Sequence, residues 1–273
     1  MAFNYEKYLR NEHLPHIWCP GCGHGIITKA LLRAIDRIGW EKDSIALISG
    51  IGCASRLPGY VDFNTLHTTH GRALPFATGL KLVKPELNII VVSGDGDALA
   101  IGGNHFIHAC RRNVDMTLVI FNNETYGMTG GQRSPTTPPG GVTSTTPYGN
   151  PHPGFDLLGL AKSAGATYVA RSTAYHAKHM ERMIHGGLEH TGFAVIEVME
   201  DCPTNYGRRN KFRSPVEMLQ RWKDVAVTFE AIASMDPNDL MGKIPIGLFH
   251  KVEKPDFSAE YKKIIETTRE ATL

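Results

Sequence analysis

The chain has no apolar run near the length of about eighteen residues that a membrane-crossing helix needs. It is nearly neutral: 29 Lys and Arg against 27 Asp and Glu leave a formal charge of +2. That balance gives no basic footprint for nucleic acid. The opening MAFNYEKYLRNEH lacks the pattern of a secretory leader, so a cytoplasmic location is expected. There are five cysteines, an odd number, which argues against a complete secreted-type disulfide framework. In a reducing compartment, spaced cysteines more often bind metal or do redox chemistry. The dinucleotide-binding fingerprint is also missing. Gly94 and Gly96 are followed by Leu99 where a third glycine or alanine belongs, and no acidic residue ends the next apolar segment. No internal repeat is visible.

What is present centres on Gly94 to Asn123. An apolar strand from Asn88 to Ser93 leads into Gly-Asp-Gly and a helical segment, and a second apolar strand from Asp115 to Phe121 ends in paired asparagines. If the strands are parallel neighbours, a right-handed crossover brings Asp95 and Asn123 to one sheet edge. Open α/β sheets bind ligands at the carboxyl ends of their strands. Glycines let backbone approach a bulky anion, and the following helix start favours negative charge. A carboxylate, an amide oxygen and nearby carbonyls are hard ligands of the kind Mg²⁺ takes beside phosphates. The stretch reads as a site for a magnesium-bound diphosphate.

Around it the chain alternates. A helix is predicted over Ile26–Ile38 with Gly39 as its C-cap, a buried strand over Ser44–Ser49, and a helix over Ala73–Val83 stopped by Pro85. Residues 124–154 are rich in Gly, Pro, Thr and Ser, too long a stretch for an inert connection. Helix Phe155–Ser163, strand Thr167–Ala170, helix Ala174–Gly186 and strand Phe193–Met199 follow. The expected class is α/β, a mostly parallel sheet with helices on both faces. One domain is expected over residues 1–235, then a C-terminal arm over 236–273, sparse in core residues and lying against a partner.

Cys19 and Cys22 sit in WCPGCGHG, Cys53 in GIGCAS and Cys202 in EDCPTN, each in a Gly- or Pro-rich loop. Cys53 and Cys202 follow predicted strands, hence lie at the diphosphate edge. Cys110, inside an apolar helix, is expected in the core. Four thiolates suit structural Zn²⁺ or a 4Fe-4S cluster equally by spacing.

Gly-Asp-Gly with Asn-Asn about thirty residues later resembles the thiamine diphosphate motif. Together with WCPGCGHG, GIGCASR, HTTHGRALPFATGLKLVKP, NNETYGMTGGQRSPTTP, CPTN and IPIGLF, nearly the whole chain resembles the β subunit of 2-oxoacid:ferredoxin oxidoreductases, most closely the 2-oxoglutarate type. The resemblance implies a thiamine diphosphate-binding fold of the pyrophosphate-binding kind. It implies CoA-dependent oxidative decarboxylation of a 2-oxoacid, with electrons passed through a 4Fe-4S cluster to ferredoxin. Cys19, Cys22, Cys53 and Cys202 would hold the cluster. Mg²⁺ would take the side chains of Asp95 and Asn123 and the carbonyl of Thr125. Ile51, Gly52, Cys53, Ala54, His70, Gly94, Gly96, Asp97, Gly127, Met128 and Thr129 would contact the cofactor. His70 would bond the diphosphate or move protons, and Met128 would shape the substrate pocket. Arg56 would bind a distal substrate carboxylate bidentately, or else pair with a local acid or a subunit surface. The glutamate that such cofactors need against their aminopyrimidine is expected from a separate α subunit, in an α2β2 assembly. Alternatives are a pyruvate- or indolepyruvate-specific relative, a non-redox thiamine enzyme half carrying zinc, and a non-catalytic scaffold.

Overall fold

In a computed structural model, residues 3–232, 234–236 and 238–270 are described. The chain enters through two short 3₁₀ turns and the Cys19–Cys22 loop, then forms α1 (His24–Ile38). Isoleucines and leucines at helical spacing give α1 a fully buried stripe of Ile27, Leu31, Leu32 and Ile35. Burying such a side chain contributes about 1.5–3 kcal/mol. Gly39, at φ 77°, ends the helix in the left-handed conformation that favours glycine.

Two strands follow, β1 (Ile45–Ser49) and β2 (Asn64–His67), then α2 (Ala73–Val83) and β3 (Asn88–Gly94). A π-helical turn over Asp97–Ile101 leads into α3 (Gly103–Arg112) and β4 (Met116–Asn122). The 124–154 segment carries a hairpin of β5 (Thr125–Tyr126) and β6 (Gln132–Arg133). Next come α4 (Leu157–Ala164), β7 (Tyr168–Thr173), α5 (Ala177–Leu188) and β8 (Phe193–Met199). The chain then runs through α6 (Pro215–Val225), β9 (Ala226–Thr228), α7 (Phe229–Ile232), β10 (Ile244–Lys251) and α8 (Phe257–Glu270).

Eight strands form one sheet in the order β2-β1-β3-β4-β8-β7-β10-β9. β2, β1, β3, β4, β8 and β7 are parallel, and only β10 runs antiparallel to its neighbour β7. β1, β4 and β8 are buried along their whole length, as parallel strands covered on both faces should be. α1 and α5 cover one face and α2, α3 and α4 the other, each with its own apolar cluster. Cys110 is fully buried in the second cluster.

The expected class and the parallel pairing of the two central strands are found, with Gly94 opposite Phe121. The exposed edge strand β2 was not anticipated, because NTLH lacks an apolar alternation. The arm expected from residue 236 is not separate from the domain, since its strand β10 joins the sheet beside β7. Ala233, Pro237 and residues 271–273, the last of them the end of the expected arm, lie outside the described residues.

Candidate active site

The carboxyl ends of β2, β1, β3, β4 and β8 deliver loops to one edge, because neighbouring parallel strands all point the same way. There they enclose an open cavity of about 220 Å³. Ile51, Gly52, Cys53, Ala54, His70, Gly94, Asp95, Gly96, Asp97, Asn123, Thr125, Gly127, Met128 and Thr129 all line it, with His24, Phe121 and Tyr126. Asp95 is only 2% exposed, and burial, opposed by hydrogen bonds from Ser134 and Thr136, pushes its carboxyl up to about 6. Thr136 Oγ1 reaches back from the long loop to 2.6 Å from Asp95 Oδ2 and 2.8 Å from Asn122 Oδ1. The Thr-rich segment is thus a wall of the site. Glu124 adopts φ 61°, a left-handed turn unusual for glutamate. The turn sends its side chain away to Arg221 Nη2 at 3.3 Å, while Asn123 and Thr125 on either side remain at the cavity.

Asp97 lines the cavity, but its carboxylate is used within the protein. Oδ1 accepts from the Gly71 amide at 2.6 Å and from Ile51 at 3.3 Å, and Oδ2 accepts from Ser93 Oγ at 2.6 Å. His70 Nδ1 lies 2.7 Å from Oδ1. Asp97 therefore ties the β1 loop, the turn after β2 and the β3 end together, and orients the His70 ring. Gly96 has no room for a side chain, since the Tyr126 ring lies over it and its hydroxyl donates to the Gly96 carbonyl at 3.3 Å.

The four candidate cluster cysteines converge. A methyl placed on Gly127 would meet Cys202 Sγ at 3.4 Å and Cys53 Sγ at 3.6 Å, so both sulfurs flank the Gly127 turn of the cavity wall. Burial pushes the Cys22, Cys53 and Cys202 thiols up, Cys53 to about 12, and after burial the ionised forms of neighbouring cysteines and of Glu200 oppose their charge. Cys19 contributes to this at Cys53 and Cys202. Cys19 is exposed and the other three are half-buried; thiolates crowded together in this way need a cationic centre, so this soft donor set fits a metal or cluster. Likewise the buried Asp95, an amide oxygen and the open backbone at Gly94 fit a hard cation with its phosphates. Asn205, from CPTN, donates to the Gly127 carbonyl at 2.8 Å and so joins the Cys202 turn to the Gly127 turn.

Arg56 is not brought to the cavity. It is exposed and lines a separate groove with Arg10, His13, Tyr60 and His67. Its place after Cys53 in sequence misled, because the chain coils into a 3₁₀ helix at Ala54–Gly59 that carries residue 56 past the rim. No Lys or Arg lines the cavity among the described residues. Sequence reasoning missed the lining residues His24, Phe121 and Tyr126, and Asn205, which holds Gly127. Each lay inside a quoted segment, and only the fold shows what it faces. α6 was missed too, although Ser214-Pro215-Val216-Glu217 is a helix-start pattern. Ser214 Oγ accepts from the Glu217 amide at 3.1 Å, and Glu217 accepts from the Arg213 amide at 2.6 Å.

A cofactor cradle at the carboxyl edge of a parallel sheet, with Gly-Asp-Gly and Asn-Asn on adjacent strands, defines a thiamine pyrophosphate-binding domain. The family model for the C-terminal TPP-binding domain of thiamine pyrophosphate enzymes matches residues 50–198. The 2-oxoglutarate synthase subunit KorB of Methanothermobacter marburgensis is 49% identical over 262 residues, 96% of this chain and 92% of that one. Its namesake in Methanocaldococcus jannaschii is 48% identical, over 95% of this chain and 96% of that one. Among solved structures, 2-oxoglutarate:ferredoxin oxidoreductase from Magnetococcus marinus, with 2-oxoglutarate, coenzyme A and succinyl-CoA bound, superposes with a TM-score of 0.86. It is 37% identical, and the match covers 98% of this chain and 91% of that one. The chain belongs to the β-subunit family of 2-oxoacid:ferredoxin oxidoreductases, 2-oxoglutarate synthase type.

Proposed function

We propose that this chain works as the cofactor- and cluster-bearing subunit of an enzyme that converts 2-oxoglutarate, CoA and two oxidised ferredoxins to succinyl-CoA, CO₂, two reduced ferredoxins and a proton. The observation that carries this is the shared edge. Cys53 lies on the same loop as Ile51 and Ala54 of the cofactor cavity, and Gly127 lies between the cavity and two cysteine sulfurs.

Asp95 and Asn123 by their side chains, and Thr125 by its carbonyl, would hold Mg²⁺. Gly94, Gly96, the Ile51–Ala54 loop and the Gly127-Met128-Thr129 turn would take the diphosphate and thiazolium. Thiamine diphosphate, when bound, supplies a nucleophilic carbon and an electron sink for decarboxylation. Asp97 holds His70 through Nδ1, which leaves Nε2 to receive or donate a proton at the cavity. Met128, 45% exposed in the cavity lining, would shape the substrate pocket. Cys19, Cys22, Cys53 and Cys202 would hold a 4Fe-4S cluster as the one-electron outlet. With Arg56 in its own groove, a distal substrate carboxylate meets no cation of this cavity. The α subunit is the proposed source of that cation and of the glutamate for the aminopyrimidine, in an α2β2 complex. α8 leaves Tyr261, Ile264 and Ile265 exposed and is proposed to lie on that partner. Among the described residues no helix is long and apolar enough to cross a membrane. The reducing cytoplasm is the compartment that suits free thiols and a low-potential cluster.

The test is anaerobic co-expression with the α subunit, metal analysis, and ferredoxin reduction assayed with 2-oxoglutarate, pyruvate, indolepyruvate and 2-oxobutyrate. Iron and CoA-dependent reduction with 2-oxoglutarate are expected. Zinc without iron would overturn the redox reading, and preference for another 2-oxoacid would overturn the substrate.

A further inference from the structure

Two buried polar side chains beside the cysteines have no task in the chemistry above. His24 and Glu200 are each 1% exposed. His24 Nδ1 stands 2.8 Å from Cys22 Sγ and 2.9 Å from Glu200 Oε1. No hydrogen bond closes on either Glu200 oxygen or on His24 Nε2, a costly state for buried polar atoms. The arrangement is built. Gly23 has no Cβ, and one placed there would come 2.6 Å from Glu200 Oε2, so the carboxylate is wedged under the Cys19–Cys22 loop. The imidazole is held between Trp18 and Phe121, each with its ring centre 5.4 Å away, and it lines the cofactor cavity.

We propose that His24 and Glu200 are positioning residues that set the reduction potential of the cluster held by Cys22. This rests on the cluster reading above. In the tautomer with hydrogen on Nδ1, His24 donates to the Cys22 sulfur. A hydrogen bond to a cluster sulfur stabilises the electron-rich reduced state and raises the potential. Glu200 works in the other direction. Its Oε1, 2.9 Å from the same Nδ1, competes for that single hydrogen and so weakens the bond to the sulfur. The pair thus acts in opposite directions at one point, the Cys22 sulfur.

The experiment uses the anaerobically purified α/β complex, with iron and sulfide analysis and redox titration of the reduced cluster by electron paramagnetic resonance. His24→Leu removes the donor, and a fall of up to about tenfold in the reduction constant is expected, about 59 mV for one electron. His24→Asn carries an amide N–H near the Nδ1 position and is expected to restore the wild-type potential. Glu200→Gln is expected to raise it. Shifts of opposite sign at full iron content support the assignment. Unchanged potentials, or shifts of the same sign in His24→Leu and Glu200→Gln, overturn it. If His24→Leu fails to hold iron, Glu200→Gln and His24→Asn decide: an unmoved Glu200→Gln potential overturns the proposal, and a raised one with wild-type behaviour of His24→Asn supports it. A wild-type complex without iron would overturn the cluster reading instead, which is a different failure.

Discussion

Gly96→Ala tests how tightly the cofactor cradle is packed. The new methyl would stand 2.5 Å from Tyr126 Cζ and closer still to Cε1. Carbon atoms settle at about 3.5–4.0 Å, so the ring must retreat by roughly an ångström. Overpacking of this kind costs about 1–3 kcal/mol. The retreat also breaks the Tyr126 bond to the Gly96 carbonyl and shifts the edge of the ring from His70, whose centre is 6.2 Å away. Thr125, next to Tyr126, moves with it. A comparison lies in the same chain: Gly79, in the exposed middle of α2, has nothing within 4 Å of an added Cβ. Gly79→Ala should stabilise by about 0.5–1 kcal/mol through helix propensity alone. Denaturant midpoints, calorimetric titration with thiamine diphosphate and Mg²⁺, and iron content would be measured on the α/β complex. The expected result is a higher midpoint for Gly79→Ala and a lower one for Gly96→Ala. Gly96→Ala should also lose at least about tenfold in cofactor affinity, the equivalent of about 1.4 kcal/mol, while keeping its iron. A Gly96→Ala complex with wild-type stability and affinity would refute the packing reasoning.

Asp95→Ala should abolish Mg²⁺-dependent cofactor retention while iron content stays unchanged; undiminished calorimetric binding would remove Asp95 from the metal site. Arg221→Met leaves the Glu124 carboxylate buried without its partner, at a cost of about 3 kcal/mol because Arg221 is itself a quarter exposed. Adding Glu124→Gln should recover most of that loss in a denaturation double-mutant cycle, and additive losses would argue against the pairing. His176, His179 and His190 are held below the usual histidine range by burial, and their ring nitrogens meet Thr173, Ser172 and Thr167 hydroxyls at 2.8, 2.9 and 2.7 Å. The folded state therefore binds fewer protons than the unfolded chain just below the free-histidine pKa of about 6.5. Stability should fall as pH drops through that value, and replacing all three by Gln should flatten the denaturation midpoint between pH 7.5 and 5.5.

Sequence reasoning succeeded where local pattern and fold agree. β8 and α2 begin and end at the residues that the pattern picks out, since each is a mostly apolar segment between clear stops. That Asp95 and Asn123 share one edge follows from Gly-Asp-Gly and Asn-Asn, because parallel pairing brings strand ends together, while the rest of the lining was expected only from the family resemblance. Failure came where a residue's role depends on which way a loop turns. Arg56 left the rim through a 3₁₀ coil, and β10 entered the sheet although its sequence has no partner signal of its own. Asp97 illustrates the intermediate case. Its place at the cavity was legible, but its use as an internal tie between three loops needs the coordinates.

The distribution of lining residues over strands bears on the proposed α subunit. The ends of β1, β3, β4 and β8 are already committed to the cofactor loops and cysteines, and β2 supplies the turn with His70. β10, antiparallel to β7, turns its carboxyl end away from this edge. No glutamate lines the cavity among the described residues; Glu124 is turned to Arg221, and Glu200 lies under the cysteine loop. Among the described residues, the strand ends that line the cavity therefore carry no glutamate for the aminopyrimidine, and β7, whose carboxyl end points to the same edge, lends no residue to the lining. On the proposed reading, the partner closes the open side of the cavity near Ile51 and Met128, both of which are exposed. Closure there buries apolar surface and excludes water from the reacting carbon in the same movement.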